Sequence, residues 1–528
     1  MKLKKGALAI FASITAMSLT ACGNQKDVTF WASFGEKYSL MLKPIINKAA
    51  KKLNLTVKYT TAGSIKNIHT NMVAAIGTSK YPSIAMGYPD HFVQYQGSDI
   101  LVPLDDDFKN ELANDYDKSY IPENKIYDKN GVLRTYGVPF NKSTELLGYN
   151  GVFVDYVAEK YSDPTLQQIP TTWAEWYVAK DDPSSKAGKY YEAFYDLVDN
   201  GRKLWAIQDA DGHAHDFQVS SSTVAGKKLV LDYSEMDTET KAKTTLMGWD
   251  ATDNAFITLL RQWGSEYTKL QQDQIKKHPK LRQGTVLFAN KTNLSKTVGM
   301  LQYFNKMHKD KIFGLGGLDL GSNNGYCSEP YKDGRVMFMI CSSGGLSYNT
   351  ENLEKRFRLA PIPFRDASHK YVISQGMNLC LTKKADKAKS IKVMKALTTG
   401  EYQAEWSLTS GYFPASKSAE ESKVYKEFIS EKATNPYVSD KTKSAIYREG
   451  HLVNYNQYRV SWNRFVDDAF IDSAKVREVC GTVLEKALKI VSDADQSYPY
   501  ENVLKGILKD SRIKGSSNII VDTELKLN

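Results

Sequence analysis

The chain has 528 residues, 42% hydrophobic and 25% charged, with 70 Lys and Arg against 60 Asp and Glu for a formal charge of +10. Those fractions are globular averages and exclude wholesale disorder; at roughly 100–200 residues per domain the length calls for several structural units or one large fold. No apolar run of about 18 residues follows the N-terminus, which excludes a multi-span membrane protein. The positive excess is spread over the whole chain, with three of its charges at Lys2, Lys4 and Lys5, and is too dilute to argue for nucleic acid.

Met1-Lys2-Leu3-Lys4-Lys5 is a positive leader, and residues 6–18 form a charge-free, largely apolar stretch of export-signal length. It ends in Leu19-Thr20-Ala21-Cys22-Gly23, which resembles a bacterial lipobox. The resemblance implies a signal peptide over 1–21, a lipidated Cys22 and a tether over 22–27, on a protein held at the outer face of the cell membrane. Acyl chains at about 0.8 kcal/mol per buried CH₂ anchor such a domain firmly. The other cysteines, Cys327, Cys341, Cys380 and Cys480, show no CxxC spacing, and buried unpaired thiols are expected.

In chain order, a short strand over 28–31 precedes a helix over 38–53, whose Leu40, Leu42, Ile45, Ile46, Ala49 and Ala50 fall largely on one face. A strand over 55–59, a helix over 65–78 and a strand over 81–86 follow. Strands alternating with helices imply parallel βαβ units, which bind ligands beyond the carboxyl ends of their strands. Asp105, Asp106 and Asp107 are consecutive and do not readily converge on one point, so a solvated helix start is expected there rather than a catalytic cluster. Residues 137–150 read as an extended segment leading to a second unit, and Thr172 with Glu175 as a capping box. Residues 180–300 mix charged loops with a helix over 254–263. Strands are expected over 333–340 and 371–381, helices over 385–398 and 402–408, and a mostly helical end over 419–508.

Five motifs, ordered along nearly the whole mature chain, carry a family resemblance: Thr29-Phe30-Trp31, the segment 137–150, Pro170-Thr171-Thr172-Trp173, the strand and turn over 334–346, and Ser410-Gly411-Tyr412-Phe413-Pro414. Together they resemble the family-1 extracellular solute-binding proteins of ABC importers, which bind sugars, oligosaccharides and glycerol-3-phosphate compounds. The resemblance implies an α/β fold of the periplasmic-binding-protein type (type II): two lobes, a ligand cleft between them, and crossing strands near 138–141, 371–376 and 410–414. Lobe 1 is expected over 28–138 plus 376–410, and lobe 2 over 139–375 plus 411–528, with a long insertion over about 180–330 that no motif explains. Closure is expected to be a hinge motion. The partners implied are a carbohydrate, the permease subunits and the membrane, with no cofactor and a monomeric state.

A sugar cleft needs aromatic faces and planar polar groups, and the chain has 32 tyrosines, part of which a compositional bias toward Lys, Asn and Tyr explains. The candidate ligand residues are Trp31 (contact or core packing), Tyr88 with Asp90 at a strand end (contact or solvated turn), and Ser143 beside Thr144 (contact or hinge hydrogen bond). Ser342 and Ser343, in a Ser-Ser-Gly-Gly turn, offer hydroxyls and backbone N–H groups to an oxygen-rich or phosphate-bearing ligand, or make a plain turn. Gly376 permits close backbone approach or marks a bulge. Trp249 beside Asp250 makes a stacking platform or a capped helix start, and Tyr412 offers a ring and a hydroxyl or packs in the core. Arg459 and Arg464 are not assigned.

Enzymatic signals are poor. The chain contains no GxSxG or HExxH motif, and Gly314–Gly321 lacks the flanks of a nucleotide loop. A metal reading of Asp209, His213, His215 and Asp216 is weaker than a hairpin turn at Asp211-Gly212. A surface glycoside hydrolase would need two carboxylates about 5–10 Å apart, and no convincing pair is visible. The expectation is a binder without turnover, for an oligosaccharide before a glycerophosphate compound.

Overall fold

In the computed structural model the described residues are 27–527, apart from 79, 178–181, 210–212, 272–282, 323–324, 350–355, 435–462, 466–469, 471 and 492–494. Residues 1–26, with the expected signal peptide and Cys22, and Arg459 lie outside them.

The strand Val28–Ala32 runs parallel to both neighbours, Val57–Thr61 and Ile84–Gly87, because helices connect the three. The helix Glu36–Lys52 buries Tyr38, Leu42, Ile45, Ile46, Ala49 and Ala50 in one stripe. Leu40, expected on that stripe, is 67% exposed; two residues from Leu42 it stands about 200° around the helix. Two antiparallel strands, Asn378–Leu381 and Gly137–Pro139, complete this five-stranded sheet. Its core gathers Phe30, Ile46, Leu104 and Val138 with Leu379, Leu397 and Trp406.

The second large sheet has seven strands. Phe313–Leu315, Thr245–Trp249 and Val336–Ser342 lie parallel, and Ser143–Asn150 pairs antiparallel with Val336–Ser342, Phe357–Ala360 and Tyr371–Gln375. Asn463–Phe465 closes the edge beside Tyr371–Gln375. The C-terminal helices Val483–Leu488 and Tyr498–Leu508 pack into this second core through Val483, Leu484, Leu504 and Ile507. The helix Gly400–Ser410 touches both cores, through Trp406 on one side and Ala404 and Leu408 on the other.

Several expectations need correction. The stretch 180–330 is no separate insertion, since Thr245–Trp249 and Phe313–Leu315 belong to the second sheet. Within it, Lys203–Gln208, Ala214–Val219 and Lys228–Asp232 form a small three-stranded sheet of their own. Residues 371–381 are two strands in different sheets, divided at Gly376. Residues 105–108 form a turn: Asp105 accepts the Thr135 N–H and hydroxyl at 3.1 and 3.0 Å, while Asp107 pairs with Lys387 at 2.8 Å. Lys203–Gln208 and Ala214–Val219 pair antiparallel with Gln208 opposite Ala214, while the turn expected at 211–212 lies outside the described residues. Thr172 and Glu175 do form a capping box, and Cys327, Cys341, Cys380 and Cys480 are buried free thiols.

Candidate functional site

Among the described residues, three segments meet at the junction of the two sheets, and one residue, Lys142, ties them together. Its peptide oxygen accepts the Phe413 N–H at 2.6 Å, joining the first and third crossings. Its ammonium donates to the Gly376 carbonyl at 3.2 Å in the second crossing, and forms a buried ion pair with Glu123 in the first lobe. Gly376 itself has φ +125°, and a Cβ there would stand 1.6 Å from the Asn141 oxygen. Only glycine lets the two crossing strands approach so closely. Trp406 seals the knot by donating its indole N–H to Asn141 Oδ1 at 2.7 Å and stacking on Phe140.

Tyrosines from both lobes converge beside this hinge. Tyr412 packs its ring against Trp406, Tyr38 and Phe34 at 6.1, 6.1 and 6.2 Å. Burial raises the Tyr412 phenol well above its usual range, and the phenols of Tyr38, Tyr88, Tyr348 and Tyr326 add to the rise. Tyr38 and Tyr88 belong to the first lobe, Tyr326 and Tyr348 to the second. Tyr38 reaches across to donate its hydroxyl to the Gly344 carbonyl, and its ring lies 5.5 Å from that of Tyr348. Tyr326 and Tyr348 remain 53% and 42% exposed, with the Lys37 ammonium over the Tyr348 ring at 4.6 Å.

The second lobe contributes a polar floor. Glu145, on the crossing strand, accepts the Trp249 indole N–H at 2.9 Å through one oxygen, while the other is buried without a hydrogen-bond partner. Burial pushes its carboxyl up to about 8, so the group is protonated at neutral pH. Asp250 is likewise pushed up to about 6 by burial, although it accepts the Cys327 N–H at 2.6 Å. Beside them the Asn254 amide donates to Gln375 at 3.2 Å, and Arg477 binds Asp253 at 2.5 Å and Asn254. Tyr88 of the first lobe feels this floor: burial raises its phenol to about 12, with Arg477, Asp90, Asp253 and Glu123 all acting on it.

The residues expected to contact ligand fare differently. Trp31 is half-buried at the carboxyl end of its strand, between Thr60 and Ala85, with its ring against the first core. Tyr88 and Asp90 stand where the strand Ile84–Gly87 gives way to the helix Pro89–Gly97. Ser143 is buried opposite Gln375 at the crossing, and Thr144 is spent on the Ile373 carbonyl at 2.8 Å. Ser342 caps its own turn, accepting the Gly344 N–H at 3.2 Å, whereas the buried Ser343 hydroxyl has no hydrogen-bond partner. That orphan suits a bound oxygen-rich solute. Two expectations fail. Trp249 is fully buried and stacks on Trp173 at 6.2 Å, so its face is taken by the core. Gly376 serves the crossing of two strands, its Cβ position being filled by Asn141 rather than left open to a solute.

Tyr38, Glu145, Tyr326, Tyr348, Asp253 and Arg477 were not singled out from the sequence. Glu145 and Tyr38 sit in or next to recognised motifs, so a closer reading of those motifs could have found them. Asp253 and Arg477 lie 224 positions apart and carry no local signal.

The fold resembles solved two-lobe binding proteins. Over 92% of this chain and 98% of the other, it superposes on UgpB of Mycobacterium tuberculosis, solved with glycerophosphocholine, with a TM-score of 0.60 and 16% identity. Maltose-bound MalE3 of T. maritima gives a TM-score of 0.58 and 15% identity over 91% of this chain and 98% of that one. In sequence, the sn-glycerol-3-phosphate-binding periplasmic protein UgpB of Shigella dysenteriae serotype 1 is 24% identical over 423 residues, which is 77% of this chain and 79% of that protein. The family model for bacterial extracellular solute-binding proteins matches residues 45–432. With the match covering most of the chain and the two-lobe fold around it, the protein belongs to the bacterial extracellular solute-binding protein family.

Proposed function

We propose that this chain is the lipid-anchored substrate-binding subunit of an ABC importer, and that it captures a neutral oligosaccharide by lobe closure and hands it to the permease. The observation that carries the reading is the meeting of the Tyr38, Tyr348 and Tyr412 rings at the lobe junction, with Tyr88 and Tyr326 acting on the Tyr412 phenol. Aromatic faces with hydroxyl tips suit pyranose rings, which present C–H faces and O–H edges together. Carboxylate and amide groups at Asp253, Asn254 and Gln375 supply matching hydrogen bonds, and Trp31, Asp90, Ser143, Ser342 and Ser343 complete the set of candidate contacts. The reading includes the division into lobes at 28–138 with 376–410 and 139–375 with 411–528, a monomeric state, and binding without turnover.

A second reading, a glycerophosphodiester ligand, is favoured by the turn at Ser342–Gly345 with its orphan Ser343 hydroxyl and by the two UgpB relatives. A thermal-shift screen of oligosaccharides and glycerophosphodiesters, with product analysis, tests both. Stabilisation by a neutral sugar without cleavage supports the first; stabilisation by the phosphodiesters alone supports the second, and hydrolysis of a glycoside refutes binding without turnover. For the anchor, Cys22→Ala releases the protein from the membrane fraction with its fold intact; retention after a carbonate wash contradicts lipidation.

A further inference from the structure

Arg477, on the helix Ser473–Cys480, faces the helix Thr252–Gln262 and sends its Nε to Asp253 Oδ2 at 2.5 Å and a terminal nitrogen to Asn254 Oδ1. Both partners of the ion pair remain partly open, with side chains 29% and 31% exposed. Asn254 continues the link to Gln375, the last residue before the Gly376 crossing. The pair therefore sits at the hinge end of the second-lobe floor, across from Tyr88, whose phenol senses both charges.

A guanidinium in such a place is a ready phosphate site, since its planar fork matches the anion's oxygens. Here one arm of the fork already holds a carboxylate. A phosphate ester reaching the guanidinium would meet the Asp253 charge at hydrogen-bond range. A vicinal diol meets no such penalty, because one hydroxyl can donate to the carboxylate while its neighbour accepts from the guanidinium.

We propose that Asp253 is the residue that sets the charge preference of the cleft, holding Arg477 in a neutral pair that admits polyhydroxyl ligands and rejects phosphate esters. The proposal rests on the reading of the lobe junction as the ligand site. Calorimetry at low salt with two probes, maltotriose and sn-glycerol 3-phosphate, tests it on the wild type, Asp253→Asn and the double variant Asp253→Asn/Arg477→Gln. Asp253→Asn keeps the shape and removes the charge, and its affinity for sn-glycerol 3-phosphate is expected to exceed the wild type's by about tenfold or more. The gain is expected to vanish in the double variant and to shrink as salt rises. Equal affinity in wild type and Asp253→Asn, including no binding by either, overturns the proposal, as does a gain that survives loss of Arg477. Thermal unfolding confirms that each variant is folded, with Asp253→Ser standing in if Asp253→Asn is not. A wild type that prefers sn-glycerol 3-phosphate to maltotriose overturns both the neutral-sugar reading and this proposal, whereas a wild type that prefers maltotriose with no gain in Asp253→Asn overturns the proposal alone.

Discussion

Lys142 and Glu145 stand three residues apart on one crossing segment, and both are essentially without solvent, at 0% and 1% exposure. They meet the cost of burial with different partners. Lys142 is surrounded by Glu123, a carbonyl and the Tyr120 ring; burial lowers its pKa, and Glu123 opposes the fall. Glu145 accepts the Trp249 indole N–H, and burial outweighs that bond and the Arg477 charge in raising its carboxyl. Burial pushes both groups toward their neutral forms, and the partners at hand oppose it. Lys142 ties the crossings together, and Glu145 lies under the ligand-side floor.

The largest expected effect removes the geometry both residues depend on. Gly376→Ala puts a methyl group on the Asn141 carbonyl at a backbone angle that suits only glycine, and a loss of about 4 kcal/mol or more is expected by chemical denaturation. Near-wild-type stability would show that the strands can cross differently.

Next comes the ion pair. Lys142→Met strands a buried Glu123 carboxylate and is expected to cost about 3–5 kcal/mol, most of it recovered in the double variant Lys142→Met/Glu123→Leu. If the double variant is no better than the single, the pair acts through packing and not through charge.

Glu145 gives a smaller, pH-dependent effect. Its carboxyl is raised from 4.5 to about 8 in the fold, so between those values the native state holds a proton that the unfolded chain has released. Its contribution is therefore fully present below about 4.5 and lost as pH rises to about 8, at up to about 1.4 kcal/mol per pH unit. Glu145→Gln is expected to remove this slope from the stability profile measured between pH 5 and pH 8. An unchanged slope would place the proton elsewhere.

The sequence disclosed this hinge better than it disclosed the floor. Residues 137–150 and Ser410–Pro414 are local motifs, and Gly376 stood out as a position for close approach, though the group that approaches is a neighbouring strand. The first three strands follow from local periodicity, as does the helix Glu36–Lys52, where only Leu40 was misplaced. Contacts between distant segments left no such trace. Trp249 is lost to the core because Trp173, 76 positions earlier, covers its face, and Asp253 finds Arg477 only once two helices pack. The stretch 180–330 looked like an insertion because its strands are short and lie far apart in the chain, yet two of them complete a sheet.

The most direct test of the central claim, that the tyrosine-lined junction takes a neutral sugar, is calorimetry with oligosaccharides and glycerophosphodiesters at about 50 and 500 mM salt. The account predicts saturable binding of an oligosaccharide with an affinity that salt leaves unchanged. Binding confined to the phosphodiesters, weakening roughly tenfold over that range, would contradict it.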